Sequence, residues 1–246
     1  MLFRLSVSLL FSFVLAISNL LARDFDRPVQ SFKYLTTIDG FESNTIWEIH
    51  QDATGFIWFG TKDGLYKYDG STLQLIQRFF VNNKSSVTSI IEDRKAHSLW
   101  LTVENNLFSL NLHTDQIKQI PLPFSSDVLC TFIDSDYRLW ISSSADGIYT
   151  MDSHDGTFHK MSEISAIAEK SIVEIGQDSK GTFSFLTSNE GIVTYDYNKD
   201  ITHIFPIHGL NLTTSLIDSQ ERVWVGTWQG LYLWDNALQK FKRVSL

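Results

Sequence analysis

Five copies of one pattern run along the chain, and they limit the folds that it can adopt. In each copy an apolar stretch ends at an aspartate, and stretches rich in aromatic and β-branched residues follow. The aspartates are spaced 40 to 44 residues apart: Asp52, Asp93, Asp134, Asp178 and Asp218. A repeat of this length is one small unit that cannot bury its apolar face alone, so the copies must stack on one another.

Each copy predicts a four-stranded antiparallel sheet. In the first copy, residues 47–49 form an apolar inner strand, and residues 52–55 form a turn that the aspartate caps. The pair Asp63-Gly64 is a tight hairpin turn between the second and third strands. Four short strands repeated at this interval are typical of propeller blades. We therefore predict an all-β fold, a β-propeller with five four-stranded blades at residues 46–80, 87–121, 128–162, 171–206 and 213–246.

The motif inside the first copy resembles that of a known family. Residues 55–69, Gly-Phe-Ile-Trp-Phe-Gly-Thr-Lys-Asp-Gly-Leu-Tyr-Lys-Tyr-Asp, resemble the two-component regulator propeller repeat. Residues 35–49 resemble the segment that opens such sensors, and the resemblance covers residues 32–246. It implies the periplasmic sensor region of a hybrid two-component histidine kinase, or of a related diguanylate cyclase sensor. The parent protein would carry the kinase or cyclase module and its phosphorelay, and the five blades would belong to a seven-bladed ring.

Two copies depart from the family pattern. The second has no glycine after Asp93, and Asn106 stands at the position of the hairpin glycine. Asparagine also tolerates the left-handed backbone conformation, so we expect this blade to form. The fourth copy has Phe185 where the family has tryptophan and Val193 where it has tyrosine. We expect its packing to differ most from that of the other blades.

The ends of the repeat region bear on how a ring would close. Residues 32–35 resemble an outer strand whose inner strands would come from the end of the ring. The last copy already carries its own outer strand at residues 241–244, so no partial blade is left for residues 32–35 to complete. This predicts a truncated or fragmentary sensor. A self-contained five-bladed ring is the alternative.

The first 22 residues predict a secretory signal peptide. Arg4 precedes an apolar run at residues 5–17, and a charged segment follows at residues 23–27. Cleavage after Ser18 or Ala22 would release the mature chain into the periplasm. The alternative is an uncleaved helix that anchors the chain in the inner membrane, which would be its only contact with a membrane.

The composition excludes several kinds of chemistry. With 20 Lys and Arg against 28 Asp and Glu, the net charge of −8 argues against nucleic acid as a partner. Cys130 is the single cysteine, so neither a disulfide framework nor a cysteine-rich zinc site is expected. It falls in a predicted inner strand, which favours a small buried side chain. The chain contains no HExxH, phosphate-binding loop or nucleophile-elbow motif. We expect no catalytic residue, no metal site and no cofactor, and we interpret the repeated aspartates as turn residues.

The hairpin turns between the second and third strands are the predicted binding surface. In a propeller these turns emerge on one face, so they would form a polar ring with a single indole. The candidate residues are Lys62, Asp63, Glu104, Asn105, Asp146, Asn189, Glu190, Trp228 and Gln229. A polar rim with a tryptophan suits sugars, and the alternative is that these are only solvated turns.

The predicted function is therefore an exported, ligand-sensing input module of a two-component system, with a glycan fragment as ligand. The expected partners are a small molecule or oligosaccharide and a second propeller or sensor protomer. The alternatives are a scaffold or adhesion propeller and a secreted propeller enzyme whose catalytic residues are not recognisable.

Overall fold

A computed structural model describes residues 34–42, 44–79, 86–152, 156–168, 170–188, 190–207, 209–220 and 222–244. The predicted signal peptide lies outside these residues. The chain divides into two compact units, Met1–Leu35 and Thr36–Leu246. In the first unit only Tyr34 and Leu35 are described, and neither lies in a strand. The predicted outer strand is therefore wrong at these two positions, and its other two residues are outside the described range. The second unit begins with a single-turn 3-10 helix, Thr37–Asp39. A capping box between Thr36 and Asp39 caps its N-terminus.

Twenty strands in the described residues form five four-stranded antiparallel sheets, each built from consecutive strands. This confirms the predicted all-β propeller with five recognisable blades. We number the blades 1 to 5 along the chain. The strands are β1 Ile46–Gln51, β2 Ile57–Thr61, β3 Gly64–Tyr68 and β4 Leu73–Gln77 in blade 1; β5 Val87–Asp93, β6 Ser98–Val103, β7 Asn106–Asn111 and β8 Ile117–Ile120 in blade 2; β9 Val128–Ile133, β10 Arg138–Ser143, β11 Ile148–Asp152 and β12 Phe158–Lys160 in blade 3; β13 Ile172–Gln177, β14 Thr182–Thr187, β15 Gly191–Asp196 and β16 Ile201–Pro206 in blade 4; and β17 Leu212–Ile217, β18 Val223–Thr227, β19 Gly230–Asp235 and β20 Lys240–Arg243 in blade 5.

The repeated aspartate closes the turn between the first two strands of its blade. Oδ1 of Asp52 accepts hydrogen bonds from the backbone N–H groups of Thr54 and Phe56 at 2.9 and 3.1 Å. Its Oδ2 accepts the indole N–H of Trp58 at 2.8 Å. The same 2.8 Å indole bond joins Asp134 to Trp140 and Asp218 to Trp224. The interpretation of the repeated aspartates as turn residues is confirmed, because Oδ1 of each of the five accepts backbone N–H groups of its own turn.

The repeat tryptophans of blades 1 to 3 pack onto the following blade. One buried hydrophobic cluster lies at each of the four junctions between consecutive blades. In the first three junctions, the tryptophan shares its cluster with the residue that stands near the start of the next blade's second strand. These pairs are Trp58 with Leu99, Trp100 with Leu139, and Trp140 with Phe183. Stacking at these three junctions thus depends on one large aromatic side chain in each.

Blade 2 accommodates one extra residue in its first turn. Trp100 follows Asp93 by seven positions instead of six, yet it pairs with Ile91 across the sheet, as Trp58 pairs with His50. Because of the longer turn, Asp93 Oδ2 and Trp100 Nε1 are buried without a hydrogen-bond partner among the described residues.

The hairpin turn of blade 2 also differs from expectation. Its left-handed residue is Glu104, with φ of 51°, and Asn106 has no positive φ. The expected role of Asn106 is therefore wrong, although the blade forms as predicted. The left-handed residue is instead Glu104, two positions before Asn106. Asn106 can therefore begin β7 as extended backbone.

Blade 4 has no tryptophan at the repeat position, and the residue that replaces it is Ser184. Ser184 pairs with Gly176, as Trp58 pairs with His50, whereas Phe185 occupies the position of Phe59. The assignment of Phe185 to the tryptophan position is therefore wrong by one residue. The reason is that the turn between β14 and β15 is one residue longer than the turn between β2 and β3.

Hydrogen bonds lower the pKa values of two carboxyl groups in the turns of blade 1, those of Asp52 and Asp69. Burial of the Asp52 carboxyl group favours its neutral form, but the groups donated by Thr54, Trp58 and Phe56 outweigh burial and lower its pKa. The exposed Asp69 has its pKa lowered to about 2 by hydrogen bonds from Thr72 and Ser71. Both carboxylates therefore favour the folded chain when they are ionised.

We expect the protein to lose stability as the pH falls below about 4, the ordinary pKa of an unfolded aspartate. The stabilisation from a lowered folded-state pKa is complete above the unfolded value, and it disappears as the pH falls through the folded value, about 2 for Asp69. Urea unfolding at pH values from about 6 to about 2 measures this loss. The variant Asp52→Asn should show a smaller decline than the natural chain. An equal decline in both would show that Asp52 contributes nothing to the acid sensitivity.

Candidate functional site

The turns that join the second and third strands lie at one edge of every blade. We call them the rim turns. In each blade, a backbone N–H at the end of the second strand donates to the carbonyl oxygen just before the inner strand. These bonds are Lys62 N to Thr45 O at 3.2 Å, Glu104 N to Ser86 O at 3.1 Å, Ser144 N to Asp127 O at 2.8 Å, Ser188 N to Ser171 O at 3.0 Å and Trp228 N to Asn211 O at 3.2 Å. Each rim turn is thus fixed beside the entry of its inner strand, at the edge opposite the aspartate turn.

The predicted site residues fall on these rim turns, and their exposure varies. Lys62, Asn105, Glu190 and Gln229 are exposed, whereas Asp63, Glu104 and Asp146 are half-buried. The indole of Trp228 is 82% exposed. Asn189 lies outside the described residues. The part of the ring that offers an open aromatic surface is therefore the blade 5 turn.

Several of these residues already have partners next to them. The Asn105 amide donates to the carboxylate of Asp127, which precedes blade 3. The Asp146 carboxylate accepts the hydroxyl of Ser126, and Glu190 pairs with Lys170. The Asn105 bond joins the rim turn of blade 2 to the chain entering blade 3, so it links neighbouring blades. A ligand that displaces such a bond would act on the junction as well as on the surface.

A cavity of about 230 Å³ opens among the inner strands of blades 1 to 3. The sequence interpretation did not identify it. Ser89 and Thr131, from blades 2 and 3, lie in its wall with their hydroxyl oxygens 3.0 Å apart. Because Ser86 and Asp127 contact the rim turns, the cavity begins only a few residues below those turns. Its lining residues are Glu48, Thr88, Ser89, Thr102, Val128, Leu129, Cys130 and Thr131.

The repeat itself carried a signal for this cavity. Of the positions four residues before the repeated aspartates, four carry a hydroxyl or carboxyl group that forms hydrogen bonds, and Cys130 holds the position in blade 3. The four are Glu48, Ser89, Glu174 and Thr214, in blades 1, 2, 4 and 5. Glu174 accepts the hydroxyl of Thr214 at 2.9 Å and the backbone N–H of Ser215 at 2.6 Å, which joins blades 4 and 5. Comparing the copies column by column would have identified these polar inner positions.

Two ionisable groups in the cavity wall have raised pKa values. Burial raises the pKa of Glu48, and a backbone hydrogen bond from Ile49 and the nearby His50 only partly oppose it. Burial, followed by the charge of Glu174, raises the pKa of the Cys130 thiol to about 12. Cys130 therefore stays a neutral thiol, and it donates weakly to the Ile172 carbonyl oxygen at 3.6 Å. Its position in the inner strand β9 agrees with a small, largely buried side chain.

The described part of the chain contains no group of three or more His, Cys, Asp or Glu residues placed to hold a metal ion. Within the same residues, no helix has the length and apolar character needed to cross a bilayer.

Known proteins resemble this chain in both motif and fold. A family model described as "Two component regulator propeller" matches residues 40–63, which confirms the resemblance seen in the first copy. "Histidine kinase P4" of Formosa agariphila is 42% identical over 59 residues, which are 24% of this chain and 4% of that protein. The chain thus spans a small fraction of the curated relative that it matches.

Solved structures share the fold at low sequence identity. The extracellular domain assigned to the hybrid two component system BT3049 of B. thetaiotaomicron superimposes with a TM-score of 0.71 at 20% identity, covering 85% of this chain and 31% of that one. Virginiamycin B lyase of Staphylococcus aureus superimposes with a TM-score of 0.62 at 14% identity, covering 82% of this chain and 70% of the lyase. Sensor domains and an enzyme therefore share this architecture.

Proposed function

We propose that this chain, a two-component regulator propeller similar to extracellular sensor domains, is the exported ligand-sensing input module of a two-component signalling protein. The observation that carries the proposal is the placement of five rim turns at one edge of the blades, above a cavity lined by hydroxyl groups. The parent protein would supply the kinase or cyclase module. Export to the periplasm by residues 1–22 belongs to the same proposal.

The ligand class that fits the rim is a glycan fragment. Trp228 presents an open indole face, onto which the CH face of a sugar ring can stack. The neighbouring Gln229 is exposed and can hydrogen-bond to sugar hydroxyls, as can Lys62 and Asn105 on other turns. The hydroxyl groups of Ser89 and Thr131 offer the same chemistry deeper in the molecule. A ligand held by two turns would bias the angle between their blades, which is the change that a sensor must pass on.

The proposed module is not catalytic. The aspartates that repeat along the chain are engaged by their own turns, and the Cys130 thiol is neutral and therefore a poor nucleophile. The likeness to virginiamycin B lyase is at 14% identity and concerns the fold.

We expect oligosaccharides to raise the melting temperature of the purified protein, and the variant Trp228→Ala to bind the active sugar about tenfold more weakly. Thermal-shift screening against a panel of oligosaccharides identifies the sugar, and calorimetric titration then gives the affinities. Truncating Trp228 removes the stacking surface but no buried contact, so the fold should be unaffected.

Tyr137→Ala is the matched control, because Tyr137 is an exposed aromatic residue in the aspartate turn of blade 3, at the opposite edge. It should bind the sugar like the natural chain. If no oligosaccharide shifts the melting temperature, glycan sensing is wrong. If the two variants lose affinity equally, the binding surface is not the rim turns.

A further inference from the structure

The junction between blades 4 and 5 lacks the side chain that fills the other described junctions. Ser184 stands at the tryptophan position of blade 4, and Gly176 stands beside it where the other blades have larger side chains. A cavity of about 380 Å³ opens here. Its size falls within the range of small-molecule pockets, about 300 to 1,000 Å³.

The lining residues place the cavity beside Ser184, on the face of blade 4 from which the indole is missing, although Ser184 itself is not among them. In blade 4, Ser184 pairs with Thr194, which pairs with His203, so the three side chains lie on one face of the sheet. Thr194 and His203 line the cavity, and the opposite wall comes from Ile217 and Val223 of blade 5. Val223 is buried at the position that Leu99, Leu139 and Phe183 hold in the other blades, where they receive an indole.

A carboxylate that could accept a hydrogen bond from an indole N–H lies in the same cavity. Asp178 lines it, and the backbone N–H groups of Lys180 and Thr182 donate to Asp178 Oδ1 at 2.9 and 2.8 Å. In blades 1, 3 and 5 the corresponding Oδ2 accepts an indole N–H at 2.8 Å. In blade 4 the side chain that would donate this proton is absent, since residue 184 is a serine.

We propose that this cavity is a binding site for a small aromatic heterocycle with a ring N–H, of the indole class. The ring takes the place of the missing tryptophan side chain. Its N–H donates to Asp178 Oδ2, and its faces pack between Thr194 on one side and Val223 on the other. Phe205 and Ile217 extend the apolar wall, while the exposed His203 lies at the mouth, where a ligand can enter. A cavity left by a missing side chain can bind a compound of matching shape, which is the physical basis of the proposal. The rest of the lining is mostly polar and includes Lys180, Asp196, Asn198 and Lys199. This site is separate from the rim turns and does not depend on the glycan proposal.

The first test compares two ligands on the natural protein. Calorimetric titration should show saturable binding of indole, and 1-methylindole should bind about tenfold more weakly, because methylation removes the proton that the carboxylate accepts. Absence of saturable indole binding overturns the proposal. Equal affinities for the two compounds overturn it as well, because the Asp178 carboxylate would then have no part in recognition. This comparison needs no variant, so it does not depend on how a substitution affects folding.

The second test fills the cavity from within. Ser184→Trp should abolish indole binding and raise the melting temperature. The new indole can donate its N–H to Asp178 and pack against Val223, as Trp58 and Trp140 do with the corresponding residues at their junctions. Ser184→Ala is the matched control and should retain indole binding. Persistent indole binding in Ser184→Trp would place the ligand elsewhere and overturn the proposal. Asp178→Asn should retain the turn while losing the preference for indole over 1-methylindole, because the amide can cap the same N–H groups.

Discussion

Replacing Trp140 by alanine should lower the free energy of unfolding by about 3 to 5 kcal/mol. The side chain is fully buried, and its ring packs against Phe183 and Phe185 of blade 4, with centroid distances of 4.7 and 6.0 Å. Truncation leaves a cavity at the junction of blades 3 and 4 that rigid neighbouring strands cannot fill. It also removes the indole N–H from Asp134, although the Arg138 guanidinium continues to donate to the same carboxylate oxygen at 2.8 Å. Denaturant unfolding monitored by circular dichroism measures the loss.

Trp224→Ala is the matched control for this experiment. Trp224 makes the same 2.8 Å bond to Asp218, and Arg222 donates to that aspartate as Arg138 does to Asp134. Trp224 is only half-buried, however, so its truncation removes less packing. We expect its loss of stability to be less than half of that for Trp140→Ala. Equal losses would show that the hydrogen bond to the aspartate, and not packing between blades, dominates the effect.

The variant Gly191→Ala should lose about 3 kcal/mol or more of unfolding free energy. Gly191 begins β15 with φ of 124°, a conformation that residues with a side chain rarely adopt. A Cβ atom there would also lie 2.1 Å from the Phe205 carbonyl oxygen and 2.9 Å from the Ile207 nitrogen. Both are backbone atoms of the outer strand and the segment that follows it, so the clash cannot be relieved by rotating a side chain. The same unfolding experiment measures the effect.

Gly209→Ala separates the two causes. Gly209 has a positive φ of 71°, but no atom lies within 4 Å of the Cβ that alanine would add. Only the conformational cost remains at this position, about 1 to 2 kcal/mol. If Gly191→Ala lost no more stability than Gly209→Ala, the close approach of the Phe205 backbone would be unimportant for the blade 4 turn.

The repeat made the fold predictable, because its period, its turn residues and its aromatic positions all favour the same four-stranded blade. The fixed spacing failed where a turn changes length. In blade 4 the longer hairpin shifted the tryptophan position from Phe185 to Ser184, and in blade 2 Glu104 took the left-handed conformation expected of Asn106. Local spacing predicts which strands exist, but only the pairing across the sheet shows which residue faces the neighbouring blade.

The candidate site was predictable in part. The rim turns lie at one edge of each blade, as the hairpin positions indicated, but ligand binding by their residues stays a prediction. The inner-strand cavity depends on which side chains of three blades meet, and this follows from the angle between blades. Ser89 and Thr131 are 42 residues apart, so no short motif could have joined them. The repeat motif did not predict the cavity between blades 4 and 5, because this cavity arises where a side chain of the motif is missing.

The two oxygens of the turn aspartate have different structural roles. This difference explains how a blade tolerates the loss of its tryptophan. Oδ1 shapes the blade through backbone groups of its own turn, and in blade 4 it does so without any tryptophan. Oδ2 orients a side chain that serves the next blade. A blade can therefore lose its tryptophan and still fold, and the loss changes only the packing at the junction with the next blade. Substitutions at the junctions can therefore create new binding sites without preventing the individual blades from folding.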